Sequence, residues 1–245
     1  MNSEWVKKTI RRFGFDVSRR RPNISDFILL YGITLVLDVG ANEGQYASLL
    51  KQWGYRGKIV SFEPVKEAFD RLNIARNGDS RWESVNVALG SLDGETTINV
   101  SHSSVFSSLL KSLPRLQNEF AAAEVVGSQK VQLRRLDSIL QDHCSKGDIV
   151  FLKIDTQGYE REVLKGAEAS LARISGVQLE VSLDPLYAEE ATFGEILGLM
   201  DSYGFTPALL EPVGYDTRIP AVYQMDTLFV RKELIRSIRE SSSPA

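Results

Sequence analysis

The sequence predicts an α/β fold, a doubly wound and mostly parallel sheet of seven strands whose last strand runs antiparallel. Short apolar runs alternate with segments of helical periodicity from residue 33 onward, which indicates parallel strands joined by helices on both faces. Several of these runs end in polar residues or glycine, as buried parallel strands do. The last two runs have no helix-length segment between them, so we expect them to pair as an antiparallel hairpin.

Seven segments have the composition of strands, and the segments between them have helical periodicity. The strands are predicted at 33–40, 58–64, 82–89, 147–155, 176–183, 204–212 and 223–231. The helices are predicted at 44–53, 65–76, 137–143, about 160–173 and 193–203.

The prediction places one domain over residues 23–235. An insertion at 90–135 departs from the alternation: a hairpin-like stretch opens at Gly94, then a serine-rich segment and a polar helix follow. We expect this insertion to shape a substrate pocket. Residues 236–245 end in a serine-rich stretch and are predicted to be a disordered tail.

Composition and charge describe an ordinary globular chain with one unusual end. The chain has 245 residues, of which 43% are hydrophobic and 25% charged, with a net charge of −3. Residues 1–22 hold seven basic and two acidic residues, which gives this leader +5 and the remainder −8. An acidic body offers no basic groove, so the sequence argues against a nucleic-acid partner. A single cysteine, Cys144, permits no intrachain disulfide, and we expect a cytoplasmic protein.

The basic leader reads as a short amphipathic helix over residues 3–13, with Val6, Ile10 and Phe13 on one face. Two interpretations are open. The helix docks on its own domain or on a partner in a homodimer, or it makes peripheral contact with an anionic membrane surface. No stretch has the length of apolar sequence needed to span a membrane.

The first predicted strand ends in a glycine-containing turn that begins at Asp38. Gly40 and Gly44 frame this turn, which permits a ligand to approach the backbone. A pyrophosphate prefers a positive helix terminus, and Asp38 and Glu43 oppose that preference. A cofactor that carries positive charge, such as S-adenosylmethionine with its ammonium and sulfonium groups, suits the acids better. The alternative is a tight turn without a ligand.

The next two strand ends supply further candidates. Glu63 lies at the end of the second strand, 25 residues after Asp38, where α/β nucleotide sites place the acid that accepts ribose hydroxyls. Ala88 lies at the end of the third strand, where a small apolar side chain could cover an adenine face. The alternatives are a solvated glutamate and an ordinary buried strand end.

The fourth strand has the most polar end in the chain, with Lys153 inside the strand and Asp155 as its last residue. We expect Asp155 to face Asp38 across the crevice between the first and fourth strands, where open α/β sheets bind ligands. A buried lysine needs a charged partner, and Glu180 in the fifth strand is a candidate. A purely structural ion pair is the alternative for these two residues.

These motifs together resemble the FkbM family of S-adenosylmethionine-dependent methyltransferases, over roughly residues 33–231. The matching segments are VLDVGANEGQYA (36–47), FEP (62–64), SSL (107–109), LRRLDSIL (133–140) and LKIDTQGYE (152–160). The resemblance implies a class I methyltransferase sheet of order 3-2-1-4-5-7-6 and the methylation of hydroxyl oxygens, often on sugars.

The resemblance also implies roles for particular residues. Gly40, Ala41, Asn42 and Gly44 would contact the methionine part of S-adenosyl-L-methionine, and Glu63 would take the ribose hydroxyls, with Asp38, Pro64 and Ala88 also at the cofactor. Asp155 would lie beside the transferable methyl group.

The family often has D-x-E-G where this chain has Gln157 before the glycine. That substitution weakens a metal site built on paired acids and leaves the metal requirement open.

The sequence therefore favours an O-methyltransferase acting on a hydroxyl-bearing substrate, a saccharide in a glycan, glycolipid or secondary metabolite. A hydroxyl needs a base, and Asp155 is the first candidate as base or orienting group. His102, in a segment with five serines, is the second. Alternative functions are a nicotinamide-dependent oxidoreductase, which the missing G-x-G opposes, and a non-catalytic protein that binds a cofactor or a glycan.

Overall fold

The computed structural model describes residues 22–216 and 219–241. Its main element is a seven-stranded sheet, with three helices packed on one face and four on the other. The strands of this sheet are β1 (Leu35–Val39), β2 (Lys58–Phe62), β3 (Trp82–Val85), β7 (Val150–Ile154), β8 (Ile174–Ser182), β9 (Phe205–Asp216) and β10 (Ala221–Arg231).

The helices and the remaining strands surround this sheet. The helices are α1 (Ile24–Leu30), α2 (Gln45–Gln52), α3 (Lys66–Arg76), α4 (Pro114–Glu119), α5 (Leu136–His143), α6 (Glu160–Lys165), α7 (Phe193–Ser202) and α8 (Lys232–Ser241). The strands β4 (Ala88–Leu89), β5 (Gly94–Ser101) and β6 (Val125–Arg134) form a separate small sheet.

The order of the main sheet is β3-β2-β1-β7-β8-β10-β9, which is 3-2-1-4-5-7-6 when its strands are counted along the chain. The pairs among β3, β2, β1, β7 and β8 are parallel, whereas β10 is antiparallel to both β8 and β9. The predicted doubly wound sheet, its implied strand order and its terminal hairpin are confirmed. This is the class I methyltransferase sheet.

The side chains of β1 point alternately to the two faces of the main sheet, which explains why helices cover both faces. Leu35, Leu37 and Val39 pack in one buried cluster with α5, α6 and α7, whereas Val36 packs in a second cluster with α1, α2 and α3. Successive side chains of a strand point to opposite faces, so an apolar run of this kind requires helices on both. The partly buried Leu234 and Ile235 attach α8 to the second cluster.

Three boundaries differ from the sequence prediction. The third strand, predicted at 82–89, is interrupted: β3 joins the main sheet, but β4 turns away and pairs with β6 in the small sheet. The helix predicted at 160–173 ends at Lys165, and a 3₁₀ turn follows at Ser170–Arg173. The insertion forms β5, a short helix and β6 rather than a hairpin followed by a helix.

Two further differences lie at the ends of the described chain. Helix α1 was not predicted, although Asn23 and Asp26 form a reciprocal capping box at its start. Helix α8 continues to Ser241, where we predicted a disordered tail from residue 236. The predicted leader helix at 3–13 lies outside the described residues. In the part of the chain that the structure covers, no helix is long and apolar enough to cross a bilayer.

Candidate active site

A cavity of about 530 Å³ opens at the carboxyl ends of β1, β2 and β7, where the crossover between β1 and β7 leaves a crevice. The glycine turn after β1 and the loop after β7 form one side. The small sheet and the turn at Ser104–Phe106 form another side, so the insertion does contribute to the cavity.

A buried lysine organises the centre of the cavity. Asp38 and Lys153 are direct neighbours in the β1–β7 register, and the Lys153 Nζ lies 3.3 Å from an Asp38 carboxylate oxygen and 3.4 Å from one of Asp155. It also donates a hydrogen bond to the Gly40 carbonyl. The expected juxtaposition of Asp38 and Asp155 is therefore present, with Lys153 between them.

The charges of this triad are set by burial and by one another. Burial raises the pKa of Asp38, against the opposing pull of Lys153. Burial alone would lower the pKa of Lys153, but the carboxylates of Asp155 and Asp38 outweigh it and raise that pKa. The lysine thus remains charged and neutralises one of its two acidic partners.

The sequence suggested Glu180 as the partner of Lys153, but the structure does not pair these two residues. Glu180 lies two residues beyond the β8 position that faces Lys153 and instead accepts hydrogen bonds from the side-chain amides of Gln157 (2.9 Å) and Gln224 (3.2 Å). Sequence reasoning could identify both as unusual residues in apolar strands but could not supply the register that separates them.

The glycine turn has the backbone that its residues predict. Gly40 has φ +72°, and a Cβ there would lie 1.8 Å from the Asp155 carbonyl oxygen, so only glycine permits the two strand ends to approach. Asn42 also has a positive φ, 47°, and its N–H donates to Glu63. Ala41 is buried, and Gly44 caps the start of α2.

Glu63 is buried against the cavity with both carboxylate oxygens engaged. One accepts the Asn42 N–H and the other the Val65 N–H, both at 2.8 Å. Burial raises the pKa of Glu63 to about 7, although these two hydrogen bonds oppose the rise. A carboxylate offers about four lone-pair positions, so two remain for hydroxyl donors.

The wall next to Glu63 is apolar. Pro64 and Ala88 line it together with Val87, Ile98 and Leu109. A buried acid beside an apolar wall and a close-approach glycine turn fits the ribose, adenine and methionine parts of S-adenosylmethionine. Most of the predicted cofactor residues line this one cavity, whereas Asp38 lies behind it, fully buried against Lys153, and Gly44 lies outside the lining at the start of α2.

The loop after β7 is held by a buried glutamate. The Glu160 Oε1 accepts hydrogen bonds from the N–H and hydroxyl of Thr156 and from the Gly158 N–H. Burial raises the pKa of Glu160 to about 7. Gln157 and Gly158 both have positive φ, which turns the chain sharply between Asp155 and α6.

The structure does not bring the two histidines to the cavity. His102 is exposed and lies outside the cavity lining, although the nearby Ser104 and Phe106 belong to it. His143, which the sequence suggested was on the surface, is mostly buried; its Nδ1 lies 2.9 Å from Glu83 and its ring contacts Phe62 edge-on.

Sequence reasoning missed several polar residues on the far side of the cavity. Gln178 accepts a hydrogen bond from the Tyr46 hydroxyl and donates to Asp226. Burial raises the pKa of Asp226 to about 6. The signal available was a set of polar side chains in two otherwise apolar strands, and it pointed to a site only once β8 and β10 were known to be neighbours. Within the described ranges, no group of three or more His, Cys, Asp or Glu side chains is arranged to hold a metal ion.

Comparison with known protein families identifies the family of this chain. The model of the methyltransferase FkbM domain matches residues 38–207, more than half of the chain. The chain belongs to the FkbM methyltransferase family. This confirms the resemblance drawn from the motifs, and the matched segment includes the glycine turn, Glu63 and Asp155.

Two curated members of the wider group are similar to this chain. The 2-O-methyltransferase NoeI of Sinorhizobium fredii is 25% identical over 178 residues, which cover 69% of this chain and 72% of that protein. The methyltransferase sdnD of Sordaria araneosa is 28% identical over 155 residues, which cover 54% of this chain and 60% of that protein.

Solved structures with a similar fold are more distant in sequence. Magnesium protoporphyrin IX methyltransferase (ChlM) of Synechocystis PCC 6803, with bound SAM, aligns with a TM-score of 0.47 and 11% identity over 85% of this chain and 76% of that one. The methyltransferase domain of bacterial CtHen1 aligns with a TM-score of 0.46 and 14% identity over 85% and 94%.

Proposed function

We propose that this FkbM-family methyltransferase uses S-adenosylmethionine to methylate a hydroxyl oxygen of a saccharide. The observation that carries the proposal is the cavity at the β1–β7 crossover, in which a close-approach glycine turn and a buried carboxylate stand beside an apolar wall. The name of the relative NoeI, a 2-O-methyltransferase, supports oxygen as the acceptor atom.

The residues around the turn would hold the cofactor. Glu63 would accept the ribose hydroxyls, Pro64 and Ala88 would cover the adenine, and the backbone from Gly40 to Asn42 would contact the methionine part. The bound cofactor supplies a methyl group made electrophilic by the adjoining sulfonium. Asp38 and Asp155 add negative charge beside Lys153, which suits a positively charged group.

The opposite side of the cavity suits a saccharide. Gln178, Glu180, Gln224 and Asp226 present amide and carboxylate groups from β8 and β10, and these groups can donate to and accept from several hydroxyls at once. We assign Asp155, between this side and the cofactor side, to orienting the acceptor. Correct orientation accounts for a large share of catalysis when two molecules must meet in line.

The test is a screen for uptake of a labelled methyl group. S-adenosylmethionine carrying the label is incubated with the protein and a panel of glycans, glycolipids and glycosylated metabolites, next to lysine peptides and RNA. We expect label only on hydroxyl-bearing saccharides. Label on peptide or RNA and none on any saccharide would contradict the proposed acceptor class.

The role of Asp155 is tested with Asp155→Asn. We expect turnover to fall at least ~100-fold because the acceptor loses its orienting carboxylate, while calorimetry shows that the cofactor still binds. Asp142→Asn, a matched change at an exposed position of α5, should leave both unchanged. Near-normal turnover of Asp155→Asn would reject the assignment.

A further inference from the structure

One glutamine joins two acidic side chains on the acceptor side of the cavity. The Gln157 Nε2 donates to an oxygen of Asp155 and to an oxygen of Glu180, each at 2.9 Å. The Tyr187 hydroxyl lies 3.0 Å from the Gln157 Oε1 and 3.1 Å from the Phe106 carbonyl oxygen, so its proton is shared between these two acceptors on the side of the amide away from the acids. A neutral donor between two carboxylates allows them to stay close without adding a charge.

The two acids have different surroundings. Asp155 has the Lys153 Nζ at 3.4 Å and a side chain that is 35% exposed. Glu180 accepts only from neutral amides in the described part of the chain, those of Gln157 and Gln224. Burial raises the pKa of Glu180 well above its usual range, and the charges of Asp155 and Asp226 raise it further.

Other charged and titratable groups surround Glu180 on every side. Asp226 is its register partner in β10, and Gln224, which donates to it, lies two residues earlier. The groups whose charges act on Glu180, or whose pKa responds to it, are Lys153 of β7, Asp155 directly after β7, Glu160 of α6, Tyr187 after β8, and Tyr223 and Asp226 of β10. Only one of these, Lys153, is a cation, so the surroundings favour proton uptake by Glu180.

We propose that Glu180 is the catalytic residue that takes the proton of the acceptor hydroxyl, and that Gln157 is a positioning residue that holds Glu180 beside Asp155. This proposal rests on the proposed O-methyl transfer and extends it to the proton. Asp155 then keeps the orienting role proposed above, and His102, which lies outside the cavity lining, is not the base.

The proton and electron balance is simple. The bond from the acceptor oxygen to the methyl carbon forms as the carbon–sulfur bond breaks, and the electron pair of that bond stays on sulfur. The acceptor proton moves to a carboxylate oxygen of Glu180, which later releases it to water. A general base of this kind works best when its pKa lies near the working pH, and burial raises the pKa of Glu180 above the ordinary acidic range of a glutamate.

The backbone of Gln157 is consistent with a positioning role. Its φ of 56° is uncommon for a residue with a side chain, and the Glu160 carboxylate maintains the turn by accepting the N–H groups on either side, of Thr156 and Gly158. Backbone strain of this type persists where neighbouring contacts enforce it.

The first test uses the cofactor-free protein and needs no acceptor. With ¹³C-labelled glutamate carboxyls, NMR should show one group that titrates well above the ordinary glutamate range and is missing from Glu180→Gln. Glu63 and Glu160 also titrate high, so the difference spectrum between the two proteins makes the assignment. If the resonance lost in Glu180→Gln titrates in the ordinary range, the proposal is overturned.

The second test uses an acceptor found by the methyl-uptake screen. We expect Glu180→Gln to lower kcat at least ~100-fold, with cofactor affinity unchanged by calorimetry, and to remove the acid limb of the pH–rate profile. Glu124→Gln, at an exposed site, serves as the matched control. Full turnover of Glu180→Gln with an unchanged pH profile would disprove the role of Glu180 without affecting the proposed acceptor class.

The positioning role of Gln157 has its own readout. Gln157→Leu keeps the size of the side chain but removes both N–H donors, so the charged form of Glu180 loses a hydrogen bond and its pKa rises further. We expect the acid limb of the pH–rate profile to move to higher pH, with the melting temperature close to that of the parent. A lower kcat with an unmoved limb would show that Gln157 does not position Glu180.

Discussion

Gly40 is the residue at which the geometry of the site is most constrained, because it lies where the ends of β1 and β7 meet. Its φ is +72°, and an added Cβ would lie 1.8 Å from the Asp155 carbonyl oxygen. That oxygen belongs to the backbone and cannot rotate away. Any side chain at this position must therefore move Asp155 and, with it, the contact to Lys153.

We predict that Gly40→Ala lowers the free energy of unfolding by more than about 4 kcal/mol, the range of severe single-site effects, and abolishes cofactor binding. Gly78→Ala is the matched control, since Gly78 has φ +71° but open space around its Cα. It should cost only about 1–2 kcal/mol, the price of a left-handed alanine. Urea denaturation measures both free energies of unfolding. If the two variants lose the same amount, the close approach of Gly40 to the Asp155 carbonyl oxygen does not contribute to stability.

Residue-scale reasoning also explains why the sequence identified some site residues and not others. Gly40, Glu63 and Asp155 lie at the ends of predicted strands, and strand ends in a parallel sheet share one edge, so their meeting follows from the fold class. Asp226 lies inside a long strand of a hairpin. Whether it reaches the cavity depends on the register of β10 against β8, which no local pattern in the sequence specifies.

At the scale of elements, a hydrogen bond across the cavity joins the insertion to the glycine turn. The Ser104 hydroxyl donates to the Asn42 Oδ1 at 2.8 Å. The same Asn42 donates its N–H to Glu63, so the 3₁₀ turn of the insertion, the glycine turn and the end of β2 form one connected chain. Loss of Ser104 would leave the cofactor side of the cavity less ordered.

We predict that Ser104→Ala weakens binding of S-adenosylmethionine about 3- to 10-fold by calorimetry, as loss of a hydrogen bond worth about 1 kcal/mol implies. Ser103→Ala is the control because Ser103 makes its contact to Ala122 through the backbone N–H. We expect unchanged affinity in that variant. The link has no role in binding if the two variants have the same affinity.

The interrupted third strand is the element that sequence reasoning could not resolve. The run from Trp82 to Leu89 is apolar enough to be continuous, but Asn86 donates its side-chain amide to the carbonyls of Glu63 and Pro64. Those contacts fix the chain at the end of β2, and β4 then leaves the main sheet to pair with β6. The strand boundary thus coincides with two long-range hydrogen bonds from one polar side chain, and no local pattern in the sequence reveals such contacts.

For the whole molecule, strand order was predictable because it follows from the class of fold and from the motifs, and the structure confirms it. The side of the cavity that the insertion forms was not predictable, because it depends on the small sheet, whose strands come from residues distant in the chain. The strand-end residues that line the cavity, such as Gly40 and Glu63, were thus predictable one by one, whereas the part built by the insertion was predictable only as a region.

The pH dependence of folding should reflect the buried acids. Burial raises the pKa of Glu160 to about 7, above its usual value of 4.5, so the folded protein holds this proton to a higher pH than the unfolded chain. The contribution to stability is complete below about pH 4.5 and is lost as the pH rises through about 7. The nearby carboxylates of Glu190 and Asp155 also raise the pKa of Glu160.

We predict that Glu160→Gln removes this loss because the amide oxygen can still accept the hydrogen bonds of Thr156 and Gly158 but carries no charge. The free energy of unfolding of the parent should fall between pH 5 and pH 8 by up to about 3 kcal/mol more than that of the variant, since one pKa unit corresponds to about 1.4 kcal/mol. Urea denaturation at several pH values measures the difference. The matched variant Glu124→Gln should follow the parent, because Glu124 is exposed. Parallel curves for the parent and Glu160→Gln would mean that the folded and unfolded states bind this proton equally.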